Sequence, residues 1–314
     1  SHALALGRVT GCEFDTAVFT NMTQDHLDFH GDLTAYRDAK ANLFRLLDAM
    51  DALKPNKNAI VNIDDPAGRF MLQTTQATAI TYGIEQAADL QAVDVIIRPE
   101  GCRFRVVGRF GEFIVQSRLT GLFNIYNQLA AIGVALAEGI DIANIQAALA
   151  DFSNVPGRFE RVEIDKPFSV IVDYAHTPDG LENVLRTAKQ FVTGRLIAVF
   201  GCGGDRDRTK RPIMGELAAR YADRVIVTSD NPRSEEPEFI IGQIMAGIAT
   251  AEAQRRTETI ADRRLAIQRA MEIAAAGDVI LVAGKGHENY QILADRTIHF
   301  DDREVVQELA GGKS

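Results

Sequence analysis

Only three of the 314 residues are cysteine, and Cys12, Cys102 and Cys202 lie far apart. An odd, scattered set forms neither a disulfide framework nor a closely spaced metal cluster, and it suits a reducing cytoplasm. No apolar run is long enough to span a bilayer, and the opening Ser1-His2-Ala3-Leu4 has no secretory pattern. Excess positive charge is missing too. The net charge of −9 argues against a nucleic-acid or anionic-membrane partner. It leaves anionic small molecules open, because the basic cluster from Arg206 to Arg211 can override the global sign locally. Two phosphate-binding signatures are also lacking. G-x-x-x-x-G-K-[ST] occurs nowhere, and the glycines of Gly201-Cys202-Gly203-Gly204 do not have the G-x-G-x-x-G spacing. There is no internal repeat and no low-complexity segment.

What is present is ordinary for a soluble globular protein: 46% hydrophobic and 25% charged residues. The length predicts two domains. In the first part, strands at 16–20 and 58–62 flank an amphipathic helix at 33–50. A β-ribbon follows at 93–98, 102–107 and 112–119, then helices at 124–138 and 142–151. The stretch Ser153-Asn154-Val155-Pro156-Gly157 breaks the pattern and sets the expected boundary, 1–154 and 155–314. Beyond it, strands at 169–173, 196–200, 225–229 and 279–283 alternate with helices at 178–192, 212–221, 237–249 and 263–275. That alternation predicts right-handed crossovers and a mostly parallel α/β sheet. A terminal pair at 290–293 and 297–300 reads as an antiparallel hairpin at one sheet edge.

Ligands of open α/β sheets bind outside the carboxyl ends of the strands. Four such loops here are polar. Asp230-Asn231-Pro232-Arg233 puts an arginine fork, suited to a carboxylate, in a proline-stiffened turn. Gly201 to Arg211 is glycine-rich and basic, Gly284-Lys285-Gly286-His287-Glu288 offers a carboxylate for an ammonium, and Asp173 to Asp179 enters a helix through Pro178. Each alone reads equally well as a surface turn; four together predict one crevice. In the first part, Asn21 to Gly31 gathers Asp25, His26, Asp28 and His30 after a strand. Such ligands suit Mg²⁺ or Mn²⁺, though capping and turn chemistry explain the same residues. Lys40, on the next helix, reads locally as a solvated charge.

Together these segments resemble the Mur ligase family. The resemblance runs through Ser1-His2-Ala3-Leu4, Thr20 to Gly31, Tyr36 to Lys40, Gly121 to Ala131, Pro156 to Arg161 and the four loops, in the family's order. It implies a central ATPase-type domain at 1–154, lacking its P-loop and the region before it, and a Rossmann-like C-terminal domain at 155–314. The implied activity is ATP-dependent ligation of meso-diaminopimelate to UDP-MurNAc-L-Ala-D-Glu in peptidoglycan synthesis, in the cytoplasm, through an acyl phosphate. Mg²⁺ would be held by His26 and by Lys40 as a carbamate, the two catalytic positions. Arg206, Asp230, Asn231, Arg233, Gly284 and Glu288 would bind diaminopimelate. Ser1 and Arg8 would meet the UDP-MurNAc-dipeptide, and Asn127, Arg158, Asp173 and His176 would meet ATP. Without a P-loop, this chain by itself would be inactive. The alternatives are a non-catalytic binding fragment, a lysine-adding relative, which carries no arginine at the place of Arg233, and a folylpolyglutamate-type ligase, which lacks the Asp-Asn-Pro-Arg loop.

Overall fold

The computed structural model describes residues 1–22, 32–48, 54–98 and 100–311. They form two compact units, Ser1–Ser153 and Asn154–Ser314. In the first, the elements are α1 (His2–Ala5), β1 (Thr16–Phe19), α2 (Leu33–Leu47), β2 (Asn58–Asn62), α3 (Gly68–Leu72), β3 (Thr78–Gly83), β4 (Leu90–Arg98), β5 (Gly101–Val107), β6 (Phe113–Ser117), α4 (Leu122–Ala137) and α5 (Ile142–Asp151). One sheet runs β1-β2-β3-β4-β5-β6. Its first four strands are parallel, and β4, β5 and β6 pair antiparallel.

The expected ribbon is thus an extension of a parallel sheet. Sequence reading passed over the joining strand β3, whose Tyr82 and Gly83 pair with Leu90 and Gln91. On α4, Ile125, Leu129 and Ile132 recur at i, i+4 and i+7 and are fully buried against Ile60 and Leu90. Truncating such a residue to alanine costs about 2–5 kcal/mol. Helix α2 starts at the Asp32 cap, whose side chain accepts from Ala35 N at 2.8 Å.

The second unit contains β7 (Glu160–Val162), β8 (Ser169–Asp173), α6 (Pro178–Lys189), β9 (Leu196–Phe200), α7 (Lys210–Tyr221), β10 (Arg224–Val227), α8 (Pro237–Met245), α9 (Ala251–Arg255), β11 (Thr257–Thr259), α10 (Arg263–Ile273), β12 (Val279–Ala283), β13 (Tyr290–Ile292), β14 (Thr297–His299) and α11 (Asp302–Leu309). The sheet order is β11-β10-β9-β12-β8-β7, parallel except for β7. Strands β9 and β12 are buried at every position, as expected where helices cover both faces of a parallel sheet. Val170, Val172, Ile197, Val199, Ile280 and Val282 pack on Ala266, Ile267 and Ala270 of α10 and Val305 and Val306 of α11. The intervening residues therefore point to the opposite face, which α6, α7 and α8 cover.

The terminal hairpin differs from expectation. Strands β13 and β14 pair only with each other. The sheet edges belong to β7 and β11, and β13 is hydrogen-bonded instead to the loop after β10.

Candidate functional site

Strands β10, β9, β12 and β8 are consecutive neighbours and run in one direction, so their four following loops emerge at one end of the sheet. The first two loops are tied together. Buried Arg211 meets Glu235 through Nη1–Oε2 and Nη2–Oε1, each 2.9 Å, and also donates to Gln243 Oε1 and Gly203 O. The Arg211 pair, with a backbone N–H from Asp205, pulls the Glu235 carboxyl down to about 2. Asp205 accepts from the Ser234 hydroxyl and amide, and Gly204 N donates to Asn231 O at 2.9 Å.

This corrects the reading of the basic cluster as free anion-binding charge. Arg211 is consumed internally, Arg208 pairs with Glu235 at 3.2 Å, and Lys210 donates to His176 O at 2.7 Å. Half-buried Glu235, 24 residues from Arg211, took up the charge. Exposed Arg206 makes only a hydrogen bond to the adjacent Asp205 carbonyl among the described residues.

Arg233 is half-buried, with φ +53°, a conformation uncommon outside glycine. Its N–H donates to Ile292 O at 3.1 Å, and Nη1 donates to Gly204 O at 2.8 Å. The guanidinium is thus held at one nitrogen, which leaves the rest of the fork for a ligand. Gln291 Nε2 donates to Asp230 O at 2.7 Å, so the hairpin clamps both ends of the Asp230–Arg233 turn.

Glu288 joins the third loop to the first. Asn231 Nδ2 donates to Glu288 Oε2 at 2.9 Å, while Asn231 Oδ1 accepts from Lys285 Nζ at 3.1 Å and from Ile292 N at 2.9 Å. Gly284 has φ +120°, and a Cβ there would stand 2.5 Å from Asp230 Oδ2. Only glycine allows these loops to approach so closely. Beneath them lies a buried pair that sequence reading missed. Arg263 bonds Asp302 and donates to Ser229 O and Ala283 O, the residues just before Asp230 and Gly284. The 39-residue separation of Arg263 and Asp302 gave no sequence signal.

In the fourth loop, burial pushes the Asp173 carboxyl up, against hydrogen bonds from Phe159 N at 2.6 Å and Ala175 N at 2.7 Å. The Arg158 guanidinium lies 5.1 Å from the Tyr174 ring centroid, and the His176 and His287 rings lie 4.7 and 5.0 Å from it. Asp173, Arg158 and His176 therefore share one corner of this unit.

In the first unit, Lys40 Nζ donates to Asn21 O at 3.0 Å and sits 4.9 Å from the Tyr36 ring centroid. Ser1 caps α1, and after burial itself the Lys40 charge is what lowers its α-amine. Arg8 is exposed just beyond α1, its N–H bonded to Ala3 O. Exposed Asn127 on α4 donates to Asn124 Oδ1 at 3.3 Å. The His26 position, with its neighbours from Thr23 to Gly31, lies outside the described residues. Among the described residues, no three His, Cys, Asp or Glu side chains gather to hold a metal, and no helix is long and apolar enough to cross a membrane.

Comparison with known proteins now bears on this geometry. Residues 1–135 match the Mur ligase middle domain, and residues 157–286 match the Mur ligase glutamate ligase domain. A relative from Syntrophomonas wolfei subsp. wolfei, named UDP-N-acetylmuramoyl-L-alanyl-D-glutamate--2,6-diaminopimelate ligase, is 51% identical over 313 residues. The match takes in 100% of this chain and 63% of that relative, so the chain spans less than two thirds of its length. A solved structure of a ligase of the same name shares 40% identity at a TM-score of 0.68, covering 99% of this chain and 63% of the other. A folylpolyglutamate synthase from Mycobacterium tuberculosis superposes at a TM-score of 0.70 with 20% identity, over 96% of this chain and 65% of that one, which is a likeness of fold alone. Two domain matches that follow one another along the chain, with about half of all residues shared with a relative that matches the whole of this chain, leave one conclusion: the chain belongs to the Mur ligase family.

Proposed function

We propose that this chain is part of an ATP-dependent amide ligase that joins meso-diaminopimelate to UDP-MurNAc-L-Ala-D-Glu, a cytoplasmic step of peptidoglycan precursor synthesis. The observation that carries the reading is the contact of Asn231 with Glu288 at 2.9 Å, beside Arg233. Loops 57 residues apart in sequence thereby offer a carboxylate for an ammonium and a guanidinium for a carboxylate in one crevice. A zwitterionic amino acid with a second, distal carboxylate fits that pairing.

In the reaction, the ATP γ-phosphoryl group passes to the D-glutamyl γ-carboxylate, giving an acyl phosphate and ADP. The free amine of diaminopimelate attacks the carbonyl carbon. The C–N bond forms, the C–O bond to phosphate breaks, and the amine loses its proton. Here Arg233, Asn231, Asp230, Arg206, Gly284 and Glu288 bind and orient the amino acid. Arg158, Asp173, His176 and Asn127 serve ATP, and Ser1 and Arg8 serve the UDP-MurNAc-dipeptide.

Magnesium, when bound, supplies charge neutralisation at the phosphates. The fit of this chain to it rests on Lys40, whose amine would become an anionic oxygen ligand as a carbamate, together with His26. Among the described residues no cluster of His, Cys, Asp or Glu completes such a site.

The test is ligation by the complete protein. Product with meso-diaminopimelate and little with lysine is expected; equal use of both would overturn the specificity. A second reading, a binding fragment without turnover, is favoured for the isolated 314-residue chain by its lack of G-x-x-x-x-G-K-[ST]. Phosphate release by that chain alone would exclude it.

A further inference from the structure

The Lys285 side chain is fully buried, yet its ammonium lies within the crevice loops. A buried ammonium is costly unless paired. Burial lowers its pKa, Asp230 and Glu288 oppose that shift, Arg263 adds to it, and Asp302 opposes it more weakly. The Tyr290 ring, with its centroid 5.6 Å away, covers another side. Among the described residues the ammonium donates to two acceptors, Asn231 Oδ1 at 3.1 Å and Glu288 Oε2 at 3.3 Å. Both belong to the residues assigned above to the incoming amino acid.

This arrangement decides the direction of an amide. Asn231 Oδ1 takes two donors, Lys285 Nζ and Ile292 N. A flipped amide would set its NH₂ against an ammonium and a backbone N–H, neither of which can accept. Asn231 Nδ2 is therefore committed to Glu288 Oε2, which accepts from Lys285 as well. With Oε2 doubly occupied, Oε1 accepts no hydrogen bond among the described residues and is the oxygen left for a ligand ammonium.

We propose that Lys285 is a positioning residue for amino-acid recognition, acting through Asn231 and Glu288 by fixing which atoms of each are offered to the ligand. The inference rests on the crevice being the amino-acid site. It assigns Lys285 no contact with the substrate and no part in the reaction with ATP.

The experiment is steady-state kinetics of the complete ligase carrying Lys285→Met, Asn231→Ala and both changes. Lys285→Met should raise KM for meso-diaminopimelate roughly tenfold or more and leave KM for ATP within about twofold. In the Asn231→Ala background the same change should add about threefold or less, because only its contact with Glu288 Oε2 is then left to lose. Lys285→Gln, which keeps a donor one bond nearer the backbone, should recover part of the loss, and it replaces Lys285→Met in the cycle if that variant does not fold. Additive effects, or equal rises in KM for both substrates, would mean a merely structural lysine and overturn the inference. An unchanged amino-acid KM in Asn231→Ala would overturn the site assignment and this inference together. An Asn231 effect with a silent Lys285→Met would overturn this inference alone.

Discussion

Arg263 and Asp302 meet through two parallel hydrogen bonds of 2.7 Å, with neither side chain exposed to solvent. Burial works against the guanidinium charge, and Asp302, joined by Asp230 and Glu288, raises its pKa in spite of that. The remaining donors of Arg263 hold Ser229 O at 3.2 Å and Ala283 O at 3.1 Å, so one side chain fixes the spacing of β10 and β12 where their loops begin.

Removing one partner should leave an uncompensated buried charge. Arg263→Ala or Asp302→Ala is expected to destabilise the second unit by about 3–5 kcal/mol. The double replacement Arg263→Met with Asp302→Leu should cost less than either single change. It should not be neutral, since the carbonyls of Ser229 and Ala283 lose their donor. Denaturant unfolding of the three variants decides the point, and a neutral Asp302→Ala would refute it.

Glu235 gives a pH dependence of definite sign. Its folded pKa is depressed from 4.5 to about 2 by Arg211, so its stabilisation is complete above about 4.5 and is lost as pH falls toward 2. Glu235→Gln should therefore be less stable than wild type at pH 6, with the gap narrowing steadily from pH 4.5 to pH 3. Unfolding free energies across that range test this. A gap that stays constant would show that the Arg211 pair is not the source.

Much of the second unit was legible because parallel strands buried on both faces are short, apolar and separated by helices. Leu196–Phe200 and Val279–Ala283 announce themselves. Polar residues at their carboxyl ends, such as Asp230 and Glu288, then pointed to a common crevice. What escaped was every contact fixed by tertiary geometry. Arg211 looked like free charge until Glu235 arrived from the next loop. The Tyr290–Ile292 strand looked like a sheet edge, because nothing local says that Ile292 will bond Asn231 and Arg233. Lys285 lay inside a segment already singled out, but burial of its ammonium depends on Asn231, 54 residues away. Strand β3 was missed because Thr78–Gly83 is short and mixed, and earns its place by pairing on both sides.

Lys40 should be carbamylated in the active, magnesium-bound complete enzyme, its amine adding to CO₂ with loss of a proton. Its amine now donates to the Asn21 carbonyl, just past β1, and among the described residues to no other hydrogen-bond acceptor. Lys40→Ala is expected to abolish ligation, and small carboxylates should restore part of it. A ¹³C-bicarbonate NMR spectrum of active enzyme without a carbamate resonance would refute the modification.

Arg233 should select meso-diaminopimelate over lysine. The two amino acids differ by one distal carboxylate, so discrimination needs a group that recognises it. Arg233 is held by Gly204 O through Nη1 and by Ile292 O through its backbone, which sets the fork in place before any ligand arrives. Losing one charged partner from a desolvated pair costs about 2–5 kcal/mol. At about 1.4 kcal/mol per tenfold, Arg233→Ala in the complete enzyme should lower kcat/KM for diaminopimelate roughly 30-fold or more. Lysine should be little affected, having no carboxylate there to lose. Arg233→Lys keeps the charge without the fork and should recover only part of the loss; the φ of +53° at this position bears on the wild type and both variants alike, since all three side chains carry a Cβ. If Arg233 were only a solvated turn residue, both substrates would change little and equally. An unchanged ratio of kcat/KM for the two amino acids would put the specificity determinant elsewhere in the crevice.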